Sequence, residues 1–243
     1  MQTATCARES IGMDPTNVDD YEPGVLRVFQ SNEETKAFYN KIAGVYDLLS
    51  EHAERPMREK GLAMLSAQPG ENILEIGFGT GHCLVNLAKS VGAEGRVYGI
   101  DISERMVALA DELMARESLS DRVELTCGDA GFLPYRSESL DAIFTSFKLE
   151  LFDTPKLPEV LKEWKRVLKP GGRLAVVSLS KVGNQGLVMK TYEWSHRHFP
   201  NLIDCRPIFV KRAVAAAGFT AIEASVDHMW VPVEIVLAGK STR

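Results

Sequence analysis

The sequence has few cysteines, and none of them is close to another: the four lie at positions 6, 83, 127 and 205. Without a Cys-x-x-Cys pair we expect no zinc site and no other bound metal, and so wide a spacing gives no disulfide framework. No apolar run approaches the ~20 residues that a membrane-spanning helix needs, so we expect no membrane span. The first residues lack the charged start and the apolar middle of a signal peptide, which favours a cytoplasmic protein with reduced thiols.

Positive charge is not in excess. The 243 residues include 28 Lys and Arg against 33 Asp and Glu, which gives a formal net charge of −5. Nucleic-acid-binding proteins usually carry a basic patch, so we expect no nucleic-acid partner. Apolar residues make up 45% of the chain and charged residues 25%, the mixture of an ordinary globular protein that is large enough for one sizeable core.

The chain divides into a short polar arm and one domain. Residues 1–30 are polar and are broken by Asp14-Pro15 and Glu22-Pro23-Gly24, which is typical of a flexible arm. We predict a single domain over residues 31–243. Its consecutive parts are two N-terminal lid helices (31–68), a core of alternating strands and helices (69–180), a substrate-facing insertion (181–210), and a last helix with a hairpin (211–243).

Strand-like segments alternate with helices and then close the chain. They span residues 72–77, 96–101, 122–127, 140–146, 173–178, 221–230 and 231–239. The first five are nearly continuous apolar runs separated by helices, which predicts βαβ units and a parallel sheet buried on both faces. The last two have almost no loop between them and can only pair antiparallel. We therefore predict an α/β, Rossmann-like, doubly wound fold with a mostly parallel seven-stranded sheet and a C-terminal antiparallel hairpin.

The segment Leu74-Glu75-Ile76-Gly77-Phe78-Gly79-Thr80-Gly81-His82 follows the first strand and opens a helix. Glycines permit positive φ and let a ligand approach the backbone, and a helix start offers free N–H groups. The G-x-G-x-G spacing differs from the G-x-G-x-x-G of dinucleotide-binding folds. Glu75 would repel a diphosphate but could accept from an amine or a hydroxyl. The alternative is a tight turn that binds nothing.

Acidic and hydroxyl residues end the next three strands. Asp101 ends the second strand, where it can accept both hydroxyls of a ribose or cap the helix that begins near Ser103. Asp129 follows the third strand, where it can accept from an adenine amine or act as a turn residue. Thr145 and Ser146 end the fourth strand. Because open parallel sheets bind ligands at the carboxyl ends of their strands, these positions predict one binding site.

Five segments resemble the class I S-adenosylmethionine-dependent methyltransferases in their order along the chain: LEIGFGTG, YGIDIS, CGDA, LDAIFTSF and LKPGGRL. The resemblance covers about residues 70–180, and the helices before and the hairpin after also fit it. The segment FYNKIAGVYD, from Phe38 to Asp47, is similar to the entry helix of the ubiquinone/menaquinone-biosynthesis (UbiE-type) methyltransferases. The resemblance implies S-adenosyl-L-methionine as cofactor and S-adenosyl-L-homocysteine as product.

The resemblance also implies roles for individual residues. The glycine turn and the acid before it would line the methionine and ribose part of the cofactor. Asp101 would bind the ribose hydroxyls, Ile102 would pack on the adenine, and Asp129 would meet the adenine amine. Tyr39 and Tyr46 would form part of a lid, or else pack on the core. The implied cofactor-binding residues are Tyr39, Tyr46, Glu75, Gly77, Gly79, Gly81, Asp101, Ile102, Asp129, Ala130, Thr145 and Ser146.

The chemistry that such a cofactor supports needs few catalytic groups. Attack on a sulfonium methyl requires alignment and exclusion of water, and a base is required only when the acceptor must lose a proton. Glu150, just beyond the fourth strand, and His196 and His198, in the insertion, are the candidate bases. Glu150 could instead be a surface or salt-bridged carboxylate, and the histidines could be surface or core groups.

We therefore hypothesise methyl transfer to a small, fairly apolar acceptor. The attacking atom could be a quinone-like ring carbon, a phenol oxygen or a thiol. An NAD(P)-dependent oxidoreductase is the first alternative, because the glycines and Asp101 partly fit it. A protein methyltransferase and a protein that binds the cofactor without turnover are the others. The sequence leaves the oligomeric state open.

Overall fold

A computed structural model describes residues 25–28, 30–183, 186, 191, 194 and 205–242, and for residues 42–52 it describes the backbone alone. The strands are β1 (Asn72–Ile76), β2 (Arg96–Asp101), β3 (Val123–Cys127), β4 (Leu140–Ser146), β5 (Leu168–Leu179), β6 (Thr220–His228) and β7 (Pro232–Gly239). The helices are α1 (Asn32–Leu65), α2 (His82–Val91), α3 (Glu104–Arg116), α4 (Leu157–Val167) and α5 (Val210–Ala216). Within the described ranges, no helix combines the length and the apolar character needed to cross a membrane.

The seven strands form one sheet in the order β3-β2-β1-β4-β5-β7-β6. The first five strands of the chain run parallel to one another. β7 runs antiparallel to both β5 and β6. Only residues 229–231 separate β6 from β7, which is too short for a parallel crossover. The predicted fold class, with its parallel core and terminal hairpin, is confirmed.

Helices cover both faces of the sheet. On one face α1, α2 and α3 pack against side chains that include Ile73 and Val177. On the other face α4 and α5 pack against the neighbouring side chains Leu74 and Val176. Because the central strands are buried on both faces, their sequences are continuous apolar runs instead of alternating polar and apolar residues.

The two helices predicted before the sheet are one. We predicted two helices within residues 31–68, but α1 runs without a break from Asn32 to Leu65 and contains Pro56. A proline inside a helix removes one backbone hydrogen bond and can still be accommodated when packing holds the helix. The last turns of α1 lie directly on the sheet: a Cβ on Gly61 would be only 2.3 Å from Val177 Cγ2. Tertiary packing therefore overrides the local signal of the proline.

Local sequence fixes where α1 begins. The hydroxyl of Ser31 accepts from the backbone N–H of Glu34, and the carboxylate of Glu34 accepts from the backbone N–H of Ser31. This reciprocal pair is a capping box, and the acidic Glu33 and Glu34 also suit the positive end of the helix dipole. The predicted start at residue 31 or 32 is thus explained by chemistry within one turn.

β5 begins earlier than the sequence indicated. We predicted a strand from residue 173, but Leu168 already pairs with Leu140. The ladder then shifts register across the Pro170-Gly171-Gly172 turn and resumes with Arg173 opposite Ala142. The turn that ends α4 is therefore an irregularity inside the strand and not a loop before it.

Candidate cofactor and acceptor site

The carboxyl ends of β1, β2, β3 and β4 lie side by side at one edge of the sheet. β2 and β3 follow on one side of β1, whereas β4 and β5 follow on the other. At such a switch point the connecting segments leave toward opposite faces and open a crevice. The glycine turn, Asp101, Asp129 and Ser146 all end strands at this edge, so the structure brings them together as the sequence predicted.

The three glycines of the turn have different surroundings. All have positive φ, at 68° for Gly77, 55° for Gly79 and 93° for Gly81, which other residues rarely adopt. A Cβ on Gly79 would meet no atom of the described residues within 4 Å, so this glycine faces open space among them. A Cβ on Gly81 would lie 3.0 Å from Ala110 Cβ of α3. Gly79 therefore leaves room for a ligand, whereas Gly81 permits close packing between the turn and α3.

Asp101 holds the glycine turn in place. Its Oδ2 accepts from the backbone N–H of Gly79 at 3.1 Å, and its Oδ1 accepts from the backbone N–H of Ser103 at 3.0 Å. The carboxylate also lines the main cleft. The two interpretations of Asp101 are thus compatible, because each carboxylate oxygen can accept more than one hydrogen bond.

Glu75 is a buried acid beside the turn. Its side chain is 2% exposed, and its Oε2 has no hydrogen-bond partner among the described residues. Burial raises the pKa of the Glu75 carboxyl well above its ordinary value, with Asp101 adding to the rise and the Arg58 charge opposing it. A buried oxygen without a donor is costly, so this group suits a cationic or amine ligand that would supply one.

The main cleft has a volume of about 970 Å³ and begins at the ends of β1, β2 and β3. Apolar side chains line its inner part, among them Ile76, Ile100, Ile102, Ala130 and Leu133. Ligand pockets of this size are usually apolar with a few well-placed polar groups. The predicted neighbours Ile102 and Ala130 therefore lie where a flat ring system would pack.

Asp129 is the polar group at the far side of this cleft. Its Oδ1 accepts from the backbone N–H of Gly131 at 2.8 Å, and its Oδ2 accepts from the Asn32 side-chain amide at 2.7 Å. Asp129 is therefore both a turn residue and a cleft residue. The amide of Asn32 already occupies one of the acceptor positions of the Asp129 carboxylate.

Residues 25–28 and 30–35, which lead into α1 and include its first turn, lie along the main cleft, and we call them the strap. Val28, Gln30, Asn32 and Thr35 line the cleft from this side. Arg27 anchors the strap through two bonds to Asp153, at 2.7 Å from Nε and 2.6 Å from Nη2. This contact could not be predicted from the sequence, because the partners are 126 positions apart.

A second, small cavity of about 30 Å³ lies on the α1 side of the glycine turn. Glu75, Gly79, Tyr39 and Ser146 are among the residues that line it. Tyr39 is 3% exposed and packs edge-on against Phe38. Tyr39 is thus a buried residue that also lines this cavity, whereas the side chain of Tyr46 lies outside the described part of the chain.

Thr145 and Ser146 have different positions. Thr145 is fully buried and donates from its hydroxyl to the Ile76 carbonyl at 3.0 Å, which ties β4 to β1. Ser146 is partly exposed and lines the small cavity. Of these two residues, only Ser146 therefore has access to a ligand.

Glu150 is fully buried, which replaces the expected surface alternative. Its Oε1 accepts from the backbone N–H of Leu179 at 3.2 Å, and its Oε2 has no hydrogen-bond partner among the described residues. Burial raises the pKa of Glu150 to about 7. Glu150 lines neither of the two cavities. The other candidate bases, His196 and His198, lie outside the described residues.

Sequence reasoning missed two residues that line the site. Asn32 reaches Asp129 across the cleft, and Lys148 lines both cavities. A charged residue two positions after an apolar strand, at the edge where ligands bind, was a usable signal for Lys148. Asn32 precedes the predicted core by many residues and carried no signal of its own.

The chain is similar to several known proteins. The family model described as "Methyltransferase domain" matches residues 73–172. A demethylmenaquinone methyltransferase from Lactobacillus johnsonii is 33% identical over 167 residues, which are 67% of each chain. The ubiquinone/menaquinone biosynthesis C-methyltransferase UbiE from Hydrogenovibrio crunogenus is 31% identical over 166 residues, covering 67% of this chain and 64% of that one. The alignments thus span about two thirds of these relatives.

A solved structure adds the fold. The crystal structure of an S-adenosylmethionine-dependent methyltransferase from Aquifex aeolicus superposes with a TM-score of 0.59 at 25% identity. The superposition covers 84% of this chain and 97% of that chain. The likeness therefore includes most of the sheet and its helices, and not the glycine turn alone.

Proposed function

The chain belongs to the UbiE-like class I S-adenosylmethionine-dependent methyltransferases, and on that premise we propose that it methylates a ring carbon of a small hydroquinone. Its cofactor is S-adenosyl-L-methionine, which replaces the oxidoreductase alternative. One observation carries the proposed acceptor: two relatives at 33% and 31% identity are named as a demethylmenaquinone methyltransferase and a quinone-biosynthesis C-methyltransferase.

The described residues fit the cofactor. Glu75 would accept from its amine, because the carboxyl is buried with one oxygen that lacks a donor. Gly79 would let the cofactor lie against the turn, because no described residue occupies the space in front of it. Asp101 would accept from the ribose hydroxyls with the lone pairs that Gly79 and Ser103 leave unused.

The apolar half of the cleft would hold the adenine. Ile102 and Ala130 line it from the ends of β2 and β3. Asp129 would accept from the adenine amine, beside or in place of the Asn32 amide. The strap would then cover the ring from the solvent side and exclude water.

Methyl transfer places two demands on the chain. When bound, S-adenosylmethionine supplies a methyl group on a positively charged sulfur: the acceptor carbon gains the methyl, the sulfur keeps the bonding electron pair, and the ring proton passes to water. The protein must align the acceptor and keep water away. It must also favour the ionised hydroquinone, because loss of an O–H proton makes the ring carbon a better nucleophile.

A product analysis tests the proposal. The purified protein would be incubated with S-adenosylmethionine and 1,4-naphthohydroquinone kept reduced by dithiothreitol, and the products reoxidised in air and separated by mass. A carbon-methylated ring reoxidises to a methylnaphthoquinone, whereas an oxygen-methylated ring cannot form a quinone. The proposal expects the methylnaphthoquinone. A methyl ether as the main product, or no methylated ring at all, would contradict it.

A further inference from the structure

Lys148 occupies the point where the two cavities meet. It is two residues beyond Ser146, the last residue of β4, and it lines both the main cleft and the small cavity. The residue between them, Phe147, has a left-handed backbone with a φ of 54°, which is unusual for an aromatic residue. This conformation ends the strand and turns the chain, so that the Lys148 side chain comes back over the glycine turn.

The Lys148 side chain covers the first glycine. A Cβ on Gly77 would lie 2.1 Å from Lys148 Cγ and 2.6 Å from Lys148 Cε. No residue larger than glycine fits beneath it. The aliphatic stem of Lys148 thus lies directly on the turn that the cofactor needs, and the ammonium is carried toward α1.

The ammonium has an aromatic neighbour and takes part in none of the ion pairs of the described residues. Nζ lies 4.0 Å from the centre of the Tyr39 ring. Among the described residues, none of the ion pairs involves Lys148. An ammonium has three donors, and the face of a ring satisfies none of them as a carboxylate or phenolate oxygen would. Lys148 is therefore a half-buried cation that forms no salt bridge within the described part of the chain, although Glu75 lines the same small cavity.

Charge decides which ligand the cation suits. The cofactor is positively charged at sulfur and would repel an ammonium that stayed beside it on the turn. An acceptor with an ionised oxygen would attract both positive charges. We propose that Lys148 binds the ionised oxygen of the methyl acceptor at the point where the two cavities meet. This inference rests on the proposed function and names the group that recognises its substrate.

With this assignment, the reaction also needs no general base from the protein. Glu150 lies in neither cavity, and an ammonium beside the hydroxyl would lower the pKa of the acceptor itself. The proton can then leave to water before the methyl is transferred. Lys148 would thus select acceptors that ionise next to the methylated carbon.

A binding experiment tests the contact without turnover. The probes are 2-hydroxy-1,4-naphthoquinone, which is ionised at neutral pH, and 2-methoxy-1,4-naphthoquinone, which has no charge. Their affinities would be measured by calorimetry for the complex with S-adenosylhomocysteine, in the wild type, Lys148→Met and Lys148→Arg. We expect the wild type to bind the hydroxy ring about tenfold more tightly than the methoxy ring. Lys148→Met should lose this preference and Lys148→Arg should keep most of it.

Each other outcome identifies what is wrong. If Lys148→Met keeps the preference for the hydroxy ring, the contact is wrong and the proposed acceptor stands. If the wild type binds neither ring, the proposed acceptor class and the contact both fail. If Lys148→Met no longer binds S-adenosylhomocysteine while its thermal unfolding is unchanged, Lys148 holds the cofactor and the assignment is overturned.

A second readout needs no acceptor. Removing a positive charge near the sulfur should favour the charged cofactor over its neutral product. We expect Lys148→Met to raise the affinity for S-adenosylmethionine relative to S-adenosylhomocysteine by roughly fivefold, and Lys148→Arg to leave the ratio unchanged. An unchanged ratio in both variants would place the ammonium away from the transferred methyl and overturn the proposal.

Discussion

Two glutamates at the same edge of the sheet have nearly the same burial and opposite access. Glu75 in β1 is 2% exposed and Glu150 beyond β4 is 0% exposed, and each has one carboxylate oxygen without a hydrogen-bond partner among the described residues. Burial raises the pKa of both. Yet Glu75 lines the small cavity, whereas Glu150 lines neither cavity and bonds to Leu179 of β5. A buried carboxyl with a raised pKa is therefore not necessarily a binding group. It must also line a cavity that a ligand can enter.

The largest expected effect distinguishes Glu150 from Glu75 and concerns how the free energy of unfolding changes with pH. The pKa of Glu150 is about 7 in the folded chain against an ordinary value of 4.5, so the folded state holds its proton more tightly than the unfolded state does. The contribution of Glu150 to the free energy of unfolding is therefore fully present below pH 4.5 and is lost as the pH rises through 7. At 1.36 kcal/mol for each pH unit, this loss is about 3 kcal/mol. Glu150→Gln, which cannot ionise, should not show it.

Urea unfolding of the wild type and Glu150→Gln at about pH 4, 6 and 8 measures the difference. The free energy of unfolding of Glu150→Gln should rise relative to that of the wild type with increasing pH. A difference between the two proteins that stays constant over this range would mean that the Glu150 carboxyl does not titrate as a buried group.

The second effect separates the glutamates by ligand binding. Glu75→Gln removes a carboxyl that a cofactor ammonium in the small cavity would hold in its ionised form, and such a charge-assisted hydrogen bond contributes about 1.5–3 kcal/mol. We expect the dissociation constant for S-adenosylhomocysteine, measured by calorimetry, to rise about 30-fold. Glu150→Gln is the matched control and should stay within about threefold of the wild type. Equal losses in both variants would remove the distinction between an accessible and an enclosed acid.

The smallest effect concerns the strap near the second glutamate. Arg27 and Asp153 form a bidentate pair that is largely buried, and Asp153 follows Glu150 by three positions. Arg27→Ala should release the strap and speed the dissociation of S-adenosylhomocysteine about fivefold, as seen by stopped flow, because an ion pair near the surface contributes up to about 1 kcal/mol. Lys36→Ala, which breaks an exposed pair with Glu104, is the control. The same rates for both variants would show that the strap does not close the cleft.

Much of the fold could be predicted because it depends on local patterns. Continuous apolar strands separated by helices specify a parallel sheet, and the short link before Pro232 specifies the hairpin. The continuity of α1 through Pro56 could not be predicted in the same way. It depends on the packing of Gly61 against Val177 of the sheet, and these two residues are far apart in the sequence.

The candidate site likewise contains residues that local patterns predict and residues that depend on contacts distant in sequence. The glycine turn and the acids that end the strands could be found because each stands at a fixed place in a βα unit. Gly81, however, packs on α3, and Thr145 bonds to Ile76, so membership of a motif did not distinguish supporting residues from those that face a cavity. The position of Lys148 over Gly77 follows from the left-handed Phe147, a backbone choice that the residue type does not reveal.

The central claim is that the chain places a methyl group on a ring carbon. The most direct measurement is a carbon-13 NMR spectrum of the product formed from S-adenosylmethionine labelled in its methyl group and 1,4-naphthohydroquinone. The account predicts that the label appears as a methyl bound to an aromatic carbon. A label found in a methoxy group, or left entirely on the cofactor, would contradict it.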